Sequence, residues 1–373
     1  MGFGLFVPSF RAEFGLSDTA VGTISSLGFG CFFVALLAAQ RLLLLRGPKR
    51  PVLTGLAFAV VGLATIAAAP DRVSLALGVG IAAASAGFTW TPFSTFVQRR
   101  IAADWRPAAL SEISTGTSVG VAVAGLAALG TVFTGFDWRI CWAGFALAAV
   151  AVLAGNAVAL RRVGPGARGG DGPSWRIMLR RAALPLYVLA FVFGTASAVY
   201  LAFAADVMAQ SGLPGLPGAA VPGLVYLCYG LFGLSGLMTG RLRDALGLPM
   251  LLRLVFAAGS GSLLSIALLP GSWVGLVASA GLQGIFVMMT SAILAFWSDR
   301  LFPERPSLGF TAAILAMAAG SVAGPALAGL ASDAFGGRAM FLAAALLPGL
   351  AALSIRGGLV GGAGGRSART ARA

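Results

Sequence analysis

The chain has 373 residues, of which 58% are hydrophobic and only 10% charged, whereas soluble domains run at about 45–50% apolar and about 25% charged. A water-soluble fold is excluded, because 26 Lys and Arg with 12 Asp and Glu cannot cover the two or three globular domains that this length would otherwise make. The net charge of +14 is scattered between apolar stretches, so it reads as membrane topology and not as a nucleic-acid surface.

In chain order, Met1 to Phe10 comes first. As a helix it would be only about 15 Å long, so it reads as the outer half of a helix 1 truncated in this chain. Runs free of Asp, Glu, Lys and Arg then cover 20–40, 51–70, 73–98, 113–136, 140–160, 182–205, 207–240, 254–298, 306–332 and 339–355. The run 254–298 is twice what a bilayer needs and breaks at Pro270-Gly271-Ser272-Trp273, giving two helices. The run 207–240 opens with the Pro/Gly-rich stretch Gly212 to Gly223 and holds one. Eleven full spans follow, numbered 2 to 12 after the half-helix.

Each span is long enough for the ~30 Å hydrocarbon core and must be helical, since lipid offers the backbone no hydrogen-bond partner. A β-barrel is excluded, because these runs are apolar all round instead of alternating. The fold class is therefore all-α: a polytopic membrane protein with eleven full spans plus half of helix 1.

The loops after spans 2, 4, 6, 8 and 10, together with the C-terminal tail, hold 22 of the 26 basic residues, while the opposite side holds Arg11, Arg72, Arg139 and Arg338. Acidic residues divide six and six, so the asymmetry belongs to Lys and Arg, as the positive-inside rule requires. The expected topology places the C-terminus in the cytoplasm. Four units are expected: an N-terminal six-helix bundle over 1–160 with helix 1 incomplete, a basic cytoplasmic linker over 161–181, a C-terminal six-helix bundle over 182–356, and a disordered cytoplasmic tail over 357–373. The expected location is the bacterial inner (plasma) membrane.

The chain has no histidine, which removes the commonest general base and metal ligand. Cys31, Cys141 and Cys228 are isolated in apolar runs, without C-x-x-C spacing. No cluster of acid, base and metal ligands and no phosphate-binding G-x-x-x-x-G-K-[ST] motif is written in the sequence, so the reading calls for no catalysis, no cofactor and no metal.

The second half repeats the first. At an offset of 200 residues, Ala20/Ala220, Val21/Val221, Leu27/Leu227, Gly30/Gly230, Phe32/Phe232, Leu37/Leu237, Arg41/Arg241, Leu42/Leu242 and Gly47/Gly247 are identical. At an offset of 199, Gly125/Gly324, Phe136/Phe335 and Arg139/Arg338 align spans 5 and 6 with spans 11 and 12. Six helices is an even number, so both halves enter the membrane in the same direction, related by an axis along its normal.

In this 6+6 parallel repeat, and in Gly240-Arg241-Leu242-Arg243-Asp244-Ala245-Leu246-Gly247, which fits the G-x-L-x-D-x-x-G loop between helices 8 and 9, the sequence resembles the major facilitator superfamily. The equivalent first-half loop has Leu44 in place of the Asp and Gln40 in place of the first Gly. The resemblance implies a gating role for Gly240, Arg243, Asp244 and Gly247, with the carboxylate held by helix N-terminal amides and nearby arginines. It also implies a secondary active transporter moving a small organic solute by alternating access, with export among its directions. Glycines 116, 120, 125 and 130 in span 5 and Gly320, Gly324 and Gly329 in span 11 are expected to let helices approach closely.

A transporter of this architecture places its site near the midplane on helices 1, 4, 7 and 10. The polar and aromatic candidates there are Ser85, Thr89, Trp90 and Thr91; Thr195, Ser197 and Tyr200; and Gln283, Met288, Thr290 and Ser291. Gln283, Tyr200, Trp90, Thr91 and Thr195 form the expected substrate site. For Gln283, whose buried amide needs partners, substrate contact and an interhelical hydrogen bond are equally open. Each Ser and Thr could instead bond its own helix. No ionisable side chain lies in the middle of a span, which favours neutral, amphipathic or apolar cargo. The expected partners are a small-molecule substrate, the lipid bilayer and, as candidate coupling ion, protons; Asp206 and Glu112 are the carboxylates near span ends that could titrate. Nucleic acid is not among the partners. The competing reading is a transport-incompetent sensor or scaffold bundle.

Overall fold

The computed structural model describes residues 2–100, 105–162, 180–302 and 306–356, the side chains at 91–100, 106–114 and 306–308 excepted. Most of the expected linker and all of the expected tail lie outside the described residues. A 3-10 turn, Gly2–Phe6, leads into the short helix α1 (Val7–Phe14). Then follow α2 (Asp18–Arg46), α3 (Lys49–Ala67), α4 (Arg72–Arg100), α5 (Arg106–Thr134) and α6 (Trp138–Ala159). The second half holds α7 (Leu184–Ser211), α8 (Gly218–Leu246, wound as a 3-10 helix over Leu234–Met238), α9 (Leu248–Leu268), α10 (Trp273–Leu301), α11 (Pro306–Phe335) and α12 (Gly337–Ser354). Among the described residues, α2 to α12 are eleven helices long and apolar enough to cross a membrane.

Local chemistry sets the helix ends. Ser17 caps α2 by accepting from Ala20 N, Asp137 caps α6 by accepting from Arg139 N, and Ser272 caps α10 by accepting from Gly275 N, each satisfying an amide that the helix leaves unpaired. The expected break at Pro270 to Trp273 is the α9–α10 turn. Before α4, Asp71 accepts from the backbone N–H groups of Ser74 and Val73, and the Ser74 amide in particular holds its carboxyl below the usual range. The chain reverses at positive φ in Gly47 after α2 and in Gly247 after α8, the same register of the repeat.

Helix pairing carries the repeat into three dimensions. In the first half α2 packs on α4, α3 on α4, and α3 on α6; in the second, α8 packs on α10, α9 on α10, and α9 on α12. Adding six to each member of the first set gives the second. The seam between halves has two long contacts, α2 with α11 and α5 with α8, and exchanging the halves turns one into the other. That is the parallel pseudo-twofold expected from the sequence.

The short α1 is held by side chains in place of length. Phe10 meets Trp138 edge-on at 4.9 Å and Phe6 lies 5.5 Å from Trp142, while Trp138 Nε1 and Arg139 both donate to the Glu13 carboxylate. Thus α1 is fixed to the start of α6, and the preceding 3-10 turn packs on α7 at Leu201.

Candidate functional site

Two ends of the bundle can be told apart by charge. The basic end holds Arg41, Arg46, Lys49, Arg50, Arg241 and Arg243, and the far end holds the start of α2 and the end of α11. The far end is sealed across the seam. Asp333 of α11 accepts from the amides of Asp18 and Thr19 at 3.2 and 2.9 Å, so it caps a helix of the opposite half. Ser332 donates to Asp18, and Arg11 of α1 bonds both Asp18 and, at 2.7 Å, Asp206 of α7. Deeper in, Pro325 interrupts the hydrogen-bond ladder of α11, and the amide of Ala326 donates to Ser26 Oγ of α2 at 2.9 Å. A backbone irregularity inside the bilayer is met by a side chain of the other half, as it must be where water is absent.

In the far half of the bundle, a cavity of about 30 Å³ is lined by Phe3, Gly4, Ser25, Phe29, Val79 and Leu201, among others, and so by both halves. It has room for about one water. Ser25 lines it with a buried hydroxyl that has no partner. From the Leu201 wall a polar seam runs on within the second half. Tyr226 donates its hydroxyl toward Leu201 O at 3.4 Å, its ring lies 6.4 Å from that of Tyr229, and Tyr229 lies 6.3 Å from Tyr200. Tyr200 accepts from Ser279 Oγ at 3.2 Å.

Gln283 ends this seam. It is fully buried, and neither its amide nitrogen nor its amide oxygen has a hydrogen-bond partner. Its level follows from the neighbouring contacts between α7 and α10: Tyr200 meets Ser279 on one side and Phe193 packs edge-on against Phe286 at 5.3 Å on the other. Ser197 of α7 falls in the same interval, also buried and also without a partner for its hydroxyl. An unpaired buried amide costs on the order of 1–3 kcal/mol, so this arrangement is held at a loss that a bound polar group would recover.

The other sequence candidates are placed elsewhere. Thr195 turns to α11, donating to Phe191 O and Gly320 O at 3.0 and 3.2 Å. Trp90 packs with Phe32, Leu36, Ile314 and Ala318 in the basic half of the seam, apart from Tyr200 and Gln283. The side chain of Thr91 lies outside the described residues, as does that of Glu112. Ser85, Thr89 and Ser291 bond carbonyls of their own helices, the ordinary use of a hydroxyl in a span. Thr290 is buried with no partner, and Met288 lies against the glycines Gly233 and Gly236 of α8.

At the basic end, Arg243 donates twice to Asp244 at 2.9 and 2.7 Å and lies over the Phe296 ring at 4.8 Å. Gly240 has open space about it, and Gly247 carries the turn at φ +76°. Arg243 and Asp244 line a cavity of about 370 Å³ with Leu248, Phe296, Asp299 and Arg300. The described partner of Asp244 is its neighbouring arginine, not a helix N-terminus.

Sequence reading missed Tyr226, Tyr229 and Ser279. The tyrosines lie on α8, outside the four helices searched, but Ser279 stands four residues before Gln283 and therefore on the same helix face, a signal that was available. The far-end cluster joins residues more than 300 positions apart, and no local pattern announces it.

The model of the Major Facilitator Superfamily matches residues 1–272. Among solved structures, the chain is similar to a mutant of the nucleoside transporter NupG, with a TM-score of 0.71 over 95% of each chain at 14% identity, a likeness of fold. Among the curated proteins none matches. With that family match over most of its length, the 6+6 pairing and the swapped seam contacts, the chain belongs to the major facilitator superfamily and is an integral membrane transporter.

Proposed function

We propose that this secondary transporter carries a small, uncharged organic solute that bears both hydrogen-bond donors and acceptors, and that Gln283 reads it. The single observation behind this is the Gln283 amide, buried and unpartnered at both ends beside a hydroxyl-rich seam of Tyr200, Tyr229 and Ser279. An amide offers one acceptor and two donors, the complement of a neutral polar solute. No Asp, Glu, Lys or Arg lies mid-span to balance an ionic one. The nucleoside cargo named for the similar structure is of this neutral class, which makes nucleosides the first solutes to try.

In this reading the basic end faces the cytoplasm of a bacterial inner membrane, supported by the Lys and Arg bias of the loops. The Arg243–Asp244 pair gates that side, where the halves also meet, Gln40 Nε2 of α2 donating to Thr311 Oγ1 of α11 at 3.1 Å. Of the expected site residues, Gln283 and Tyr200 make the contacts. Protons supply the drive, and export is read as accumulation in inside-out vesicles.

The test is flux into proteoliposomes holding the full chain, with a panel of radiolabelled nucleosides, neutral sugars and a permanently charged lipophilic cation. Flux of a neutral member is expected, falling by about tenfold or more in Gln283→Leu, the effect of losing one good hydrogen bond. Undiminished flux in that variant, or preference for the charged solute, would overturn the assignment. Flux of none would favour the sensor or scaffold reading.

A further inference from the structure

Arg11 occupies an unusual place at the far end. Its guanidinium has three partners: the carbonyl oxygen of Leu16 at 2.6 Å, the carboxylate of Asp18, and the carboxylate of Asp206 at 2.7 Å. Leu16 and Asp18 belong to the same half as Arg11, and Asp206 belongs to the other. The Arg11–Asp206 contact is thus an ion pair across the seam, while Arg11–Asp18 stays within one half.

Asp206 is 2% exposed, and its second oxygen, Oδ1, is buried with no partner. Its bonded oxygen, Oδ2, accepts from Arg11 and from Gln210 at 3.0 Å. The charges around it count as follows. From α1 come Arg11 and Glu13, the latter held by Arg139 of α6. From α2 comes Asp18, and from α11 Asp333, which is occupied with the α2 amides. The first turn of α12 brings Arg338, exposed and in no ion pair among the described residues. Helices α8, α9 and α10 carry no charged residue in their far halves; α8 presents the uncharged Tyr226. Two carboxylates, Asp18 and Asp206, therefore share one guanidinium.

We propose that Asp206 is a proton-binding site and that a proton there cuts the link between the halves at the far end. The proton adds from water at that face to Oδ1, the oxygen without a partner, and no other bond is made or broken. Neutral Asp206 stays buried without a counter-charge, and Gln210, whose amide has both a donor and an acceptor, bonds it in either form. Arg11 keeps its charge and stays paired to Asp18 and to Leu16 O, so releasing Asp206 leaves no ion stranded in a low-dielectric site. The same geometry that makes the link strong in one protonation state makes it expendable in the other. This rests on the reading of the chain as an alternating-access carrier and gives that carrier its coupling ion.

The test needs no cargo. In the full chain with Cys31, Cys141 and Cys228 replaced by alanine, spin labels are placed by Phe136→Cys and Phe335→Cys. These repeat-related positions at the far end are 58% and 78% exposed. Double electron–electron resonance distances are then recorded from about pH 8 to about pH 5, a range that spans carboxylate and perturbed-carboxylate titration. Acid is expected to shift the distribution to longer distances. Asp206→Asn is expected to show the long distances already at the alkaline end, with no further response, and Arg11→Gln to do the same by removing the other side of the link. Arg338→Gln, which removes an exposed charge at the same end that is in no ion pair among the described residues, is expected to keep the response. An acid response surviving in Asp206→Asn, one lost in Arg338→Gln with Asp206 present, or a parent distribution indifferent to pH would each overturn the proposal. None of these outcomes touches the Gln283 site, which the solute flux tests separately.

Discussion

Gln283 is a residue whose structural and functional demands point in opposite directions. Its amide is buried without partners, and leucine has nearly its volume without its polarity. Gln283→Leu is therefore expected to raise the melting temperature of the solubilised protein, by the equivalent of about 1–3 kcal/mol, while solute flux falls. A lower melting temperature would mean that the amide is paired in the working protein and belongs to packing. Side chains that serve packing look different: Thr195 and Ser321 tie α7 to α11 through Gly320 O and Gly194 O. The sequence shows Gln283 as an amide in an apolar run, which is why it could be singled out. It does not show Thr195 facing α11, because α7 is apolar around its whole circumference and its composition marks no inward face.

At the scale of elements, glycines bring backbones close both within each half and where the halves meet. A side chain on Gly22 of α2 would place its Cβ 2.2 Å from Pro325 O, and one on Gly125 of α5 would lie 2.6 Å from Gly223 O. These are backbone contacts that cannot yield. Gly22→Leu is expected to separate α2 from α11 at the far end and to abolish the protection of that face, read as faster alkylation by a membrane-impermeant thiol reagent of a cysteine introduced at Ser25. Unchanged labelling would show that α2 and α11 are not in contact there. Periodic glycines in α5 suggested a continuous packing stripe, yet Gly116, Gly120 and Gly130 have nothing within 4 Å of a built Cβ, and Gly125 alone makes the approach. In α11, Gly320, Gly324 and Gly329 all meet backbone. Small-residue spacing permits close contact between helices, but which helix comes near is decided by the arrangement of the bundle.

For the whole molecule, hydropathy, loop charge and the 200-residue repeat carried most of the architecture. Each is a property of the chain that the lipid solvent enforces residue by residue: charges leave the hydrocarbon, backbones close into helices, and duplicated sequence repeats its pairing. The α2–α4 and α8–α10 contacts follow from that repeat. What stayed illegible is the state of the seam, since the bonds that seal it join Asp18 to Asp333, Ser26 to Ala326 and Arg11 to Asp206. Each is a polar contact between distant segments, and a carrier must be able to break it.

We infer that the halves rock about this seam during transport, opening the end that is sealed here. This motion is tested most directly by a reversible bond across the seam: Ser26→Cys with Ala326→Cys in the background lacking native cysteines, at positions already joined by a 2.9 Å hydrogen bond. Oxidation in proteoliposomes is predicted to stop solute flux and reduction to restore it, with each single variant unaffected by oxidant. Flux that continues with the cross-link formed, verified by the mobility of the protein after cleavage between the halves, would contradict the account.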